Sequence, residues 1–150
     1  MASAIPNSSL ANIVNGTIDL NTDDIRARLC MTNTTCDTEV DAIAKVSNYT
    51  TIDVGDATSY ADVALTTETV TANDANNRAD FNTAADIVFS GLGGNATRDY
   101  QGVLLYKYVA GGDANCYPLC FIDFTADVSK TATQVTVPSA STNILQISQG

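Results

Sequence analysis

The sequence contains no histidine and no tryptophan, and the missing histidine excludes several classes of function. Without histidine there can be no Ser-His-Asp or Cys-His catalytic group, and the commonest ligand of catalytic zinc is missing. A phosphate-binding Gly-x-x-x-x-Gly-Lys-Ser/Thr motif is also absent, and the glycine loop over residues 91–94 carries no lysine. Carboxylates are plentiful, and we expect none of them to act as an acid or base through a pKa raised by an apolar setting. We therefore predict no catalytic residue, no cofactor site and no enzymatic activity.

Basic residues are scarce, since seven lysines and arginines oppose seventeen aspartates and glutamates, for a net charge of −10. Nucleic acids are bound by clustered cations that release phosphate counterions, and this chain has no such cluster. An anionic bilayer is disfavoured for the same reason, and no apolar run approaches the roughly 18 residues that cross a membrane. We therefore expect neither a nucleic acid nor a membrane as a partner. Because residues 1–7 lack the basic and apolar stretches of a secretion signal, we expect synthesis in the cytoplasm.

The composition favours strands over helices. Hydrophobic residues make up 45% of the chain and charged residues only 16%, and threonine and valine are common. One helix is predicted over about residues 38–47, where apolar side chains recur at helical spacing behind a cap at Asp37 or Thr38. The hairpin over residues 102–124 is the strongest strand signal, and its strands are predicted to be covered on both faces. Further extended segments are predicted over residues 13–20, 25–30, 60–71, 78–81, 86–89, 133–137 and 143–147.

This pattern predicts a mainly β fold, a β-sandwich or a jelly-roll-like barrel, with one short helix and an extended N-terminal arm. Residues 1–12 are small and polar and form the predicted arm, which we expect to become ordered only when bound. Residues 13–150 are predicted to form a single β-rich domain, which is the size that 150 residues support.

The four cysteines fall into two pairs, Cys30 with Cys36 and Cys116 with Cys120. Neither spacing is that of a zinc ribbon or a zinc knuckle. Each pair lies near a predicted loop, so one or two disulfides are an alternative. Free thiols packed as small hydrophobic groups are the expectation for a cytoplasmic product.

One segment imitates a calcium-binding loop. Residues 19–23 copy the opening of an EF-hand loop, but Asp24 occupies the position that requires glycine and Cys30 the position of the final glutamate. Aspartate and asparagine side chains also bind their own backbone in polar turns. We predict such a turn and no metal site.

Several segments share a pattern with one family of small proteins. Residues 15–27 read Asn-Gly-Thr-Ile-Asp-Leu-Asn-Thr-Asp-Asp-Ile-Arg-Ala, and further stretches of the pattern lie over residues 79–89, 102–107, 118–124 and 144–147. Together they resemble the small virion structural proteins of tailed bacteriophages, in which Gly-x-Ile-Asp-Leu is an opening motif and a Pro-Leu-(hydrophobic)-x-(Ile/Val)-Asp strand follows later. The chain differs from that pattern at residues 87–89, where a tryptophan is common, and over residues 36–49.

The resemblance implies a virion component assembled in the host cytoplasm, acting as a capsid cement or decoration protein. Its partner would be the major capsid protein, and it would act as a homotrimer at local threefold positions. The candidate contact residues are Ile5 and Pro6 in the arm and the interface anchors Tyr60, Tyr100, Tyr108 and Tyr117.

Two alternatives stay open. A neck or tail structural protein belongs to the same class of function. A carbohydrate-binding jelly-roll module belongs to a different class, and the absence of tryptophan and the aromatic content of 7% disfavour it.

Overall fold

The computed structural model describes residues 3–139 and 144–148, which form antiparallel β-sheets and one α-helix, α1. The sheets have strand orders β1-β8-β7-β2-β3, β10-β5-β4 and β6-β9. This confirms the predicted mainly β, sandwich-like fold with one short helix. The elements are β1 (Ser3–Ala4), α1 (Asn7–Val14), β2 (Ile25–Met31), β3 (Val63–Ala64), β4 (Glu68–Asn73), β5 (Arg78–Thr83), β6 (Ile87–Ser90), β7 (Tyr100–Lys107), β8 (Tyr117–Val128), β9 (Gln134–Val137) and β10 (Leu145–Ser148).

The five-stranded sheet is buried on both faces, because its central strands alternate between two apolar clusters. On one face Leu29 and Leu105 join residues of the two smaller sheets, such as Phe81 and Val135, in the main core. On the other face β2, β7 and β8 contribute side chains that pack under the connection after β2. These are Cys30, Leu104, Tyr106 and Phe121, and they meet Cys36, Ile43, Val46 and Tyr49. The predicted hairpin over residues 102–124, with both faces covered, is confirmed.

The helix predicted over about residues 38–47 is wrong. Turns and bends fill this segment up to a 3₁₀ turn at Val46–Asn48. Ala42 has a φ of 60°, which interrupts a right-handed helix. The carboxylate of Glu39 accepts hydrogen bonds from the Thr50 N–H (2.8 Å) and the Thr35 hydroxyl (3.0 Å). These bonds to other parts of the loop stabilise the observed conformation more than the helical spacing of apolar residues stabilises a helix.

The helix lies instead in α1, at Asn7–Val14, where the sequence predicted arm and strand. Pro6 directly precedes it with a φ of −58°, which suits a helix start. Gly16 ends it in the left-handed region, with a φ of 76°, and donates its N–H to the Ile13 carbonyl at 3.2 Å. The extended pieces predicted over residues 13–20 are therefore wrong.

The described part of the predicted arm lies on the body of the domain. Ser3 and Ala4 pair with Ile122 and Phe121 at the edge of the five-stranded sheet, and Pro6 is buried. The edge of β8 offers backbone hydrogen-bonding groups that an adjacent segment can satisfy. Residues 3–12 thus differ from the expected arm that is ordered only when bound, while residues 1 and 2 lie outside the described part of the chain.

The closing strands agree with the sequence. Residues 134–137 form β9, paired with β6, and residues 145–148 form β10, paired with β5. Residue 143, the first of the last predicted strand, lies outside the described residues.

Candidate interaction surface

Helix α1 buries a polar residue and exposes apolar ones. Ser9 is its one fully buried side chain, with no accessible surface, whereas Leu10 is 40% exposed and Val14 is 89% exposed. Leu10, Ala11 and Val14 share one face of the helix, because residues three and four apart lie one above the other. We call this apolar face, formed by Leu10, Ala11 and Val14, the α1 face.

The helix is held in this orientation by its polar buried side. The Ser9 hydroxyl donates a hydrogen bond of 2.8 Å to the carbonyl oxygen of Pro118 in β8. Ile13, on the same side, packs against the main core. A buried hydroxyl with a satisfied partner fixes the rotation of a helix, because turning it would leave both groups unpaired. The exposure of Leu10 and Val14 therefore follows from the packing of the opposite side.

The N-terminal end of α1 is bound to the loop that follows β2. The Asn7 N–H donates to the Val40 carbonyl at 3.1 Å, and the Asn7 side-chain amide donates to the Asp41 carboxylate at 2.8 Å. The Ser8 hydroxyl donates to the Ile43 carbonyl. The bond from the Asn7 N–H satisfies an orphan backbone donor at the helix start, and all three bonds join the helix to the body of the domain. The α1 face is thus presented on a fixed element.

The α1 face is free of charged side chains. Residues 1–18 contain no Asp, Glu, Lys or Arg, although the chain carries a net charge of −10. Five of the seven basic residues are in ion pairs with aspartates of the same chain. These pairs are Arg26–Asp24, Arg28–Asp62, Arg28–Asp113, Arg78–Asp80, Arg98–Asp53 and Lys107–Asp23.

Three of the six residues predicted as contacts lie inside the domain or are occupied by it. Tyr100 and Pro6 are buried, so neither can anchor a partner. The Tyr60 hydroxyl donates to the Asp62 carboxylate at 2.5 Å and accepts the Leu29 N–H at 3.0 Å. Because these tyrosines fall in strands and loops that pack inward, sequence alone could not separate core from interface.

The other three predicted contacts keep some accessible surface. Ile5 is half-buried and packs against the main core. The guanidinium of Arg26 lies 3.5 Å from the ring centroid of Tyr108, and the Lys45 ammonium lies 3.2 Å from that of Tyr117. The Lys45 ammonium also lowers the pKa of Tyr117 by hydrogen bonding and by its charge. Each ring therefore has a cation of its own chain over one of its faces.

A cluster of hydrogen-bonded polar side chains surrounds Arg28. The Asp62 carboxylate receives hydrogen bonds from Arg28 (2.9 and 3.0 Å), from Tyr60 (2.5 Å) and from the Tyr106 hydroxyl (2.6 Å), and Arg28 also binds Asp113 at 2.8 Å. Burial, reinforced by the charge of Asp62, raises the pKa of both tyrosines. Since both carboxylate oxygens of Asp62 accept bonds within the chain, the cluster fastens segments of this chain together.

All four cysteines are free, buried thiols. The thiols of Cys30 and Cys36 share a hydrogen bond, which raises the pKa of Cys30 and lowers that of Cys36. The Cys116 sulfur lies 3.4 Å from both the nitrogen and the oxygen of Val109. Burial raises the pKa of Cys120 to about 12. The structure thus places the thiols as packed core groups, with Cys30 and Cys36 in contact.

The segment that imitates a calcium loop forms the polar turn that the sequence predicts. An oxygen of Asp19 accepts the Asn21 N–H at 2.9 Å, and an oxygen of Asp23 accepts the Asp19 N–H at 2.7 Å. The Lys107 ammonium lies 2.8 Å from Asp23. Within residues 3–139 and 144–148, no group of three or more Cys, Asp or Glu side chains is placed to hold a metal ion.

A depression of about 580 Å³ lies on the three-stranded sheet. Its described lining includes Ala72, Ala79 and Ile147 together with Asp74 and Arg78, and none of its described lining residues is aromatic. Ligand pockets usually combine aromatic walls with a few convergent polar groups. The depression has neither an aromatic wall nor an enclosed shape.

No helix in the described part of the chain is long and apolar enough to cross a membrane. No family model, curated protein or solved structure matches this chain.

The sequence patterns do not point to Leu10 and Val14, which form most of the α1 face. Pro6 and Gly16 at the two ends of α1 are the local signals that could have found it.

Proposed function

We propose that this chain is a non-enzymatic virion structural protein that decorates the head of a tailed phage. It binds the major capsid protein across subunit boundaries and acts as a homo-oligomer. The proposal is supported by the phage-like sequence segments, and the observation that carries it is the uncharged, apolar α1 face on a rigidly packed domain. Contiguous apolar surface on a soluble domain is characteristic of protein-protein contact.

The mechanism is the burial of complementary surface, which requires no chemistry. A protein that binds only the assembled shell stabilises that shell by mass action, and the effect grows with its free concentration relative to its dissociation constant. The two buried faces of the five-stranded sheet and the Arg28 cluster give the domain the rigidity that such a contact needs. A rigid partner loses little conformational freedom on binding, so more of the contact energy remains as affinity.

The first test is the copy number of the chain in purified particles of the phage that encodes it. Quantitative mass spectrometry against the major capsid protein is expected to give near parity between the two proteins. A few copies per particle would move the chain to the neck or tail. Its absence from particles would overturn the virion proposal.

A second test asks whether the protein protects the shell. Purified protein added to capsids that lack it is expected to co-sediment with them and to raise their melting temperature. A glycan-binding signal without capsid binding would favour the carbohydrate-binding module instead.

A further inference from the structure

The structure separates the two pairs of cysteines, which the sequence leaves equivalent. Cys116 packs in the apolar cluster under the connection after β2, whereas Cys120 packs in the main core on the other face of the five-stranded sheet. The extended strand from Tyr117 to Cys120 alone spans about 10 Å. Because the Cα atoms of a disulfide lie at most about 7 Å apart, a bond between Cys116 and Cys120 would require β8 to move.

Cys30 and Cys36, in contrast, lie together in the cluster under the connection after β2, and both are fully buried. A tight turn brings them together. The Thr34 N–H donates to the Met31 carbonyl at 3.1 Å, which reverses the chain directly after β2. The Cys36 N–H then donates to the Thr34 hydroxyl at 3.3 Å, and the two thiols share a hydrogen bond.

The backbone beside each thiol is held by the segment over residues 51–54. Cys30 pairs with Val54 in an antiparallel bridge, and the Thr35 N–H donates to the Thr51 carbonyl at 2.8 Å. These bonds keep the two sulfur atoms in contact in the folded chain. A bond between them therefore restricts the folded chain much less than it restricts the unfolded chain.

We propose that the Cys30–Cys36 pair is a redox site, which a small disulfide such as oxidised glutathione converts into a disulfide bond. The Cys36 thiolate attacks one sulfur of the small disulfide and releases one glutathione. Cys30 then attacks the mixed disulfide at the Cys36 sulfur, and the second glutathione leaves. The two protein thiols lose two protons and two electrons, and the two released glutathione thiols carry them.

The order of attack follows from the hydrogen bond between the thiols. It lowers the pKa of Cys36 and raises that of Cys30, so Cys36 is the thiol that ionises first. Both sulfur atoms are buried, and exchange therefore requires local opening of the connection after β2. Turns and bends fill this connection from residue 36 up to the 3₁₀ turn at Val46–Asn48, which offers few bonds against such an opening.

The disulfide fastens the start of this connection to a central strand of the five-stranded sheet. It closes the loop over residues 30–36 and restricts the unfolded chain, which stabilises the folded domain under oxidising conditions. A reducing environment returns the pair to two thiols. The inference does not depend on the proposed function, because it concerns the chemistry and stability of this chain alone.

The test compares disulfide formation in the folded and the unfolded full chain. Reduced protein is equilibrated with reduced and oxidised glutathione, once after refolding in native buffer and once in urea, so that access limits neither sample. Acid stops the exchange, iodoacetamide blocks the remaining thiols, and trypsin cleaves the chain. Residues 29–45 then form one peptide with the Cys30–Cys36 pair, and residues 108–130 form one with the other two cysteines.

The ratio of disulfide to dithiol in the peptide over residues 29–45 is expected to be at least about tenfold higher in the folded protein than in urea. In the peptide over residues 108–130, which is the internal control, folding is expected to lower this ratio. Either of two results would overturn the inference. One is a ratio for residues 29–45 that folding does not raise, and the other is a disulfide that folding favours in residues 108–130.

Thermal melts measure the effect of the bond on the domain. The oxidised wild type is expected to melt about 3–5 °C above the reduced wild type, which is the shift that a tenfold preference gives in a domain of this size. Cys36→Ala is expected to melt at the same temperature in both states. The matched control Cys120→Ala, which also removes a buried thiol, is expected to keep the shift. A wild type that melts no higher when oxidised would contradict the inference, whether or not the variants fold.

Discussion

Arg28 in β2 and Asp62 beside β3 form a largely buried ion pair, with Nη2 2.9 Å from Oδ2 and side-chain exposures of 12% and 18%. Arg28 reaches Asp113 in the β7–β8 connection with its other terminal nitrogen, at 2.8 Å. One guanidinium thus joins a central strand to two connections that are distant in sequence. A charge pair of this kind is costly to disrupt from one side, because the remaining charge stays desolvated.

The first prediction concerns this pair. Asp62→Asn keeps the shape of the side chain but removes the charge that Arg28 and two tyrosine hydroxyls share. The free energy of unfolding, measured with urea, is expected to fall by about 2–3 kcal/mol. In the control Asp24→Asn, the lost pair with Arg26 is exposed (43% and 31%), and the change is expected to stay below about 1 kcal/mol. Equal losses in the two variants would contradict a structural role of the Arg28 cluster.

Gly102 in β7 is predicted to tolerate no side chain. A Cβ atom there would lie 2.4 Å from the Ile122 carbonyl oxygen and 2.5 Å from the Phe121 ring. Because β7 is paired on both sides, its backbone has no room to move away. Gly102→Ala is expected to lower the free energy of unfolding by at least about 3 kcal/mol, or to prevent soluble expression.

Gly112→Ala is the comparison for that substitution. Gly112 has a φ of 93° and no atom within 4 Å of the added Cβ, so only backbone strain opposes the change. We expect a loss of about 1–2 kcal/mol in the same denaturation assay. If Gly112→Ala lowers the free energy of unfolding more than Gly102→Ala does, the close approach of β7 and β8 does not restrict the side chain at position 102.

The sequence predicts those elements whose pattern is local. Residues 25–30 alternate between apolar and polar or small side chains, and they form β2 as expected. The rotation of α1 depends instead on the bond between Ser9 and Pro118, which are 109 residues apart. The Arg28 cluster likewise joins residues up to 85 positions apart. A local sequence pattern does not contain both members of such a pair. The sequence therefore predicts neither the exposure of the α1 face nor the burial of Tyr100.

The buried thiols make a further prediction. Cys30, Cys36, Cys116 and Cys120 have at most 1% exposure, so a thiol reagent reaches them only when the domain opens. Native protein at pH 8 is expected to react slowly with 5,5′-dithiobis(2-nitrobenzoate), and urea-unfolded protein is expected to release four equivalents at once. Rapid reaction of one thiol in the native protein would contradict this burial. Release of only two equivalents would show that one pair is a disulfide.

The last prediction concerns the stability of the domain in acid. Burial raises the pKa of Asp123, and the negative charges of Asp37 and Asp127 raise it further. The folded state therefore binds this proton more tightly than the unfolded state does. Protonation of Asp123 favours folding, and that contribution is lost as the pH rises from about 4 through the raised pKa.

Asp123→Asn is expected to remove this penalty at neutral pH. The melting temperature should rise by about 1–3 °C at pH 7, and the gain should disappear at pH 3, where the wild-type carboxyl is already neutral.

Asp56→Asn should change the melting temperature at pH 7 in the opposite direction. The Asp56 carboxylate accepts the Thr97 N–H (2.9 Å) and hydroxyl (2.6 Å), which lower its pKa, so its stabilising contribution is present at pH 7 and is lost as the pH falls. Thermal melts of both variants from pH 3 to pH 7 test the two signs together. Burial and repulsion at Asp123 and the two donors at Asp56 require shifts of the melting temperature of opposite sign. If both variants shift it in the same direction at pH 7, the direction of the pKa shift is wrong for Asp123 or for Asp56.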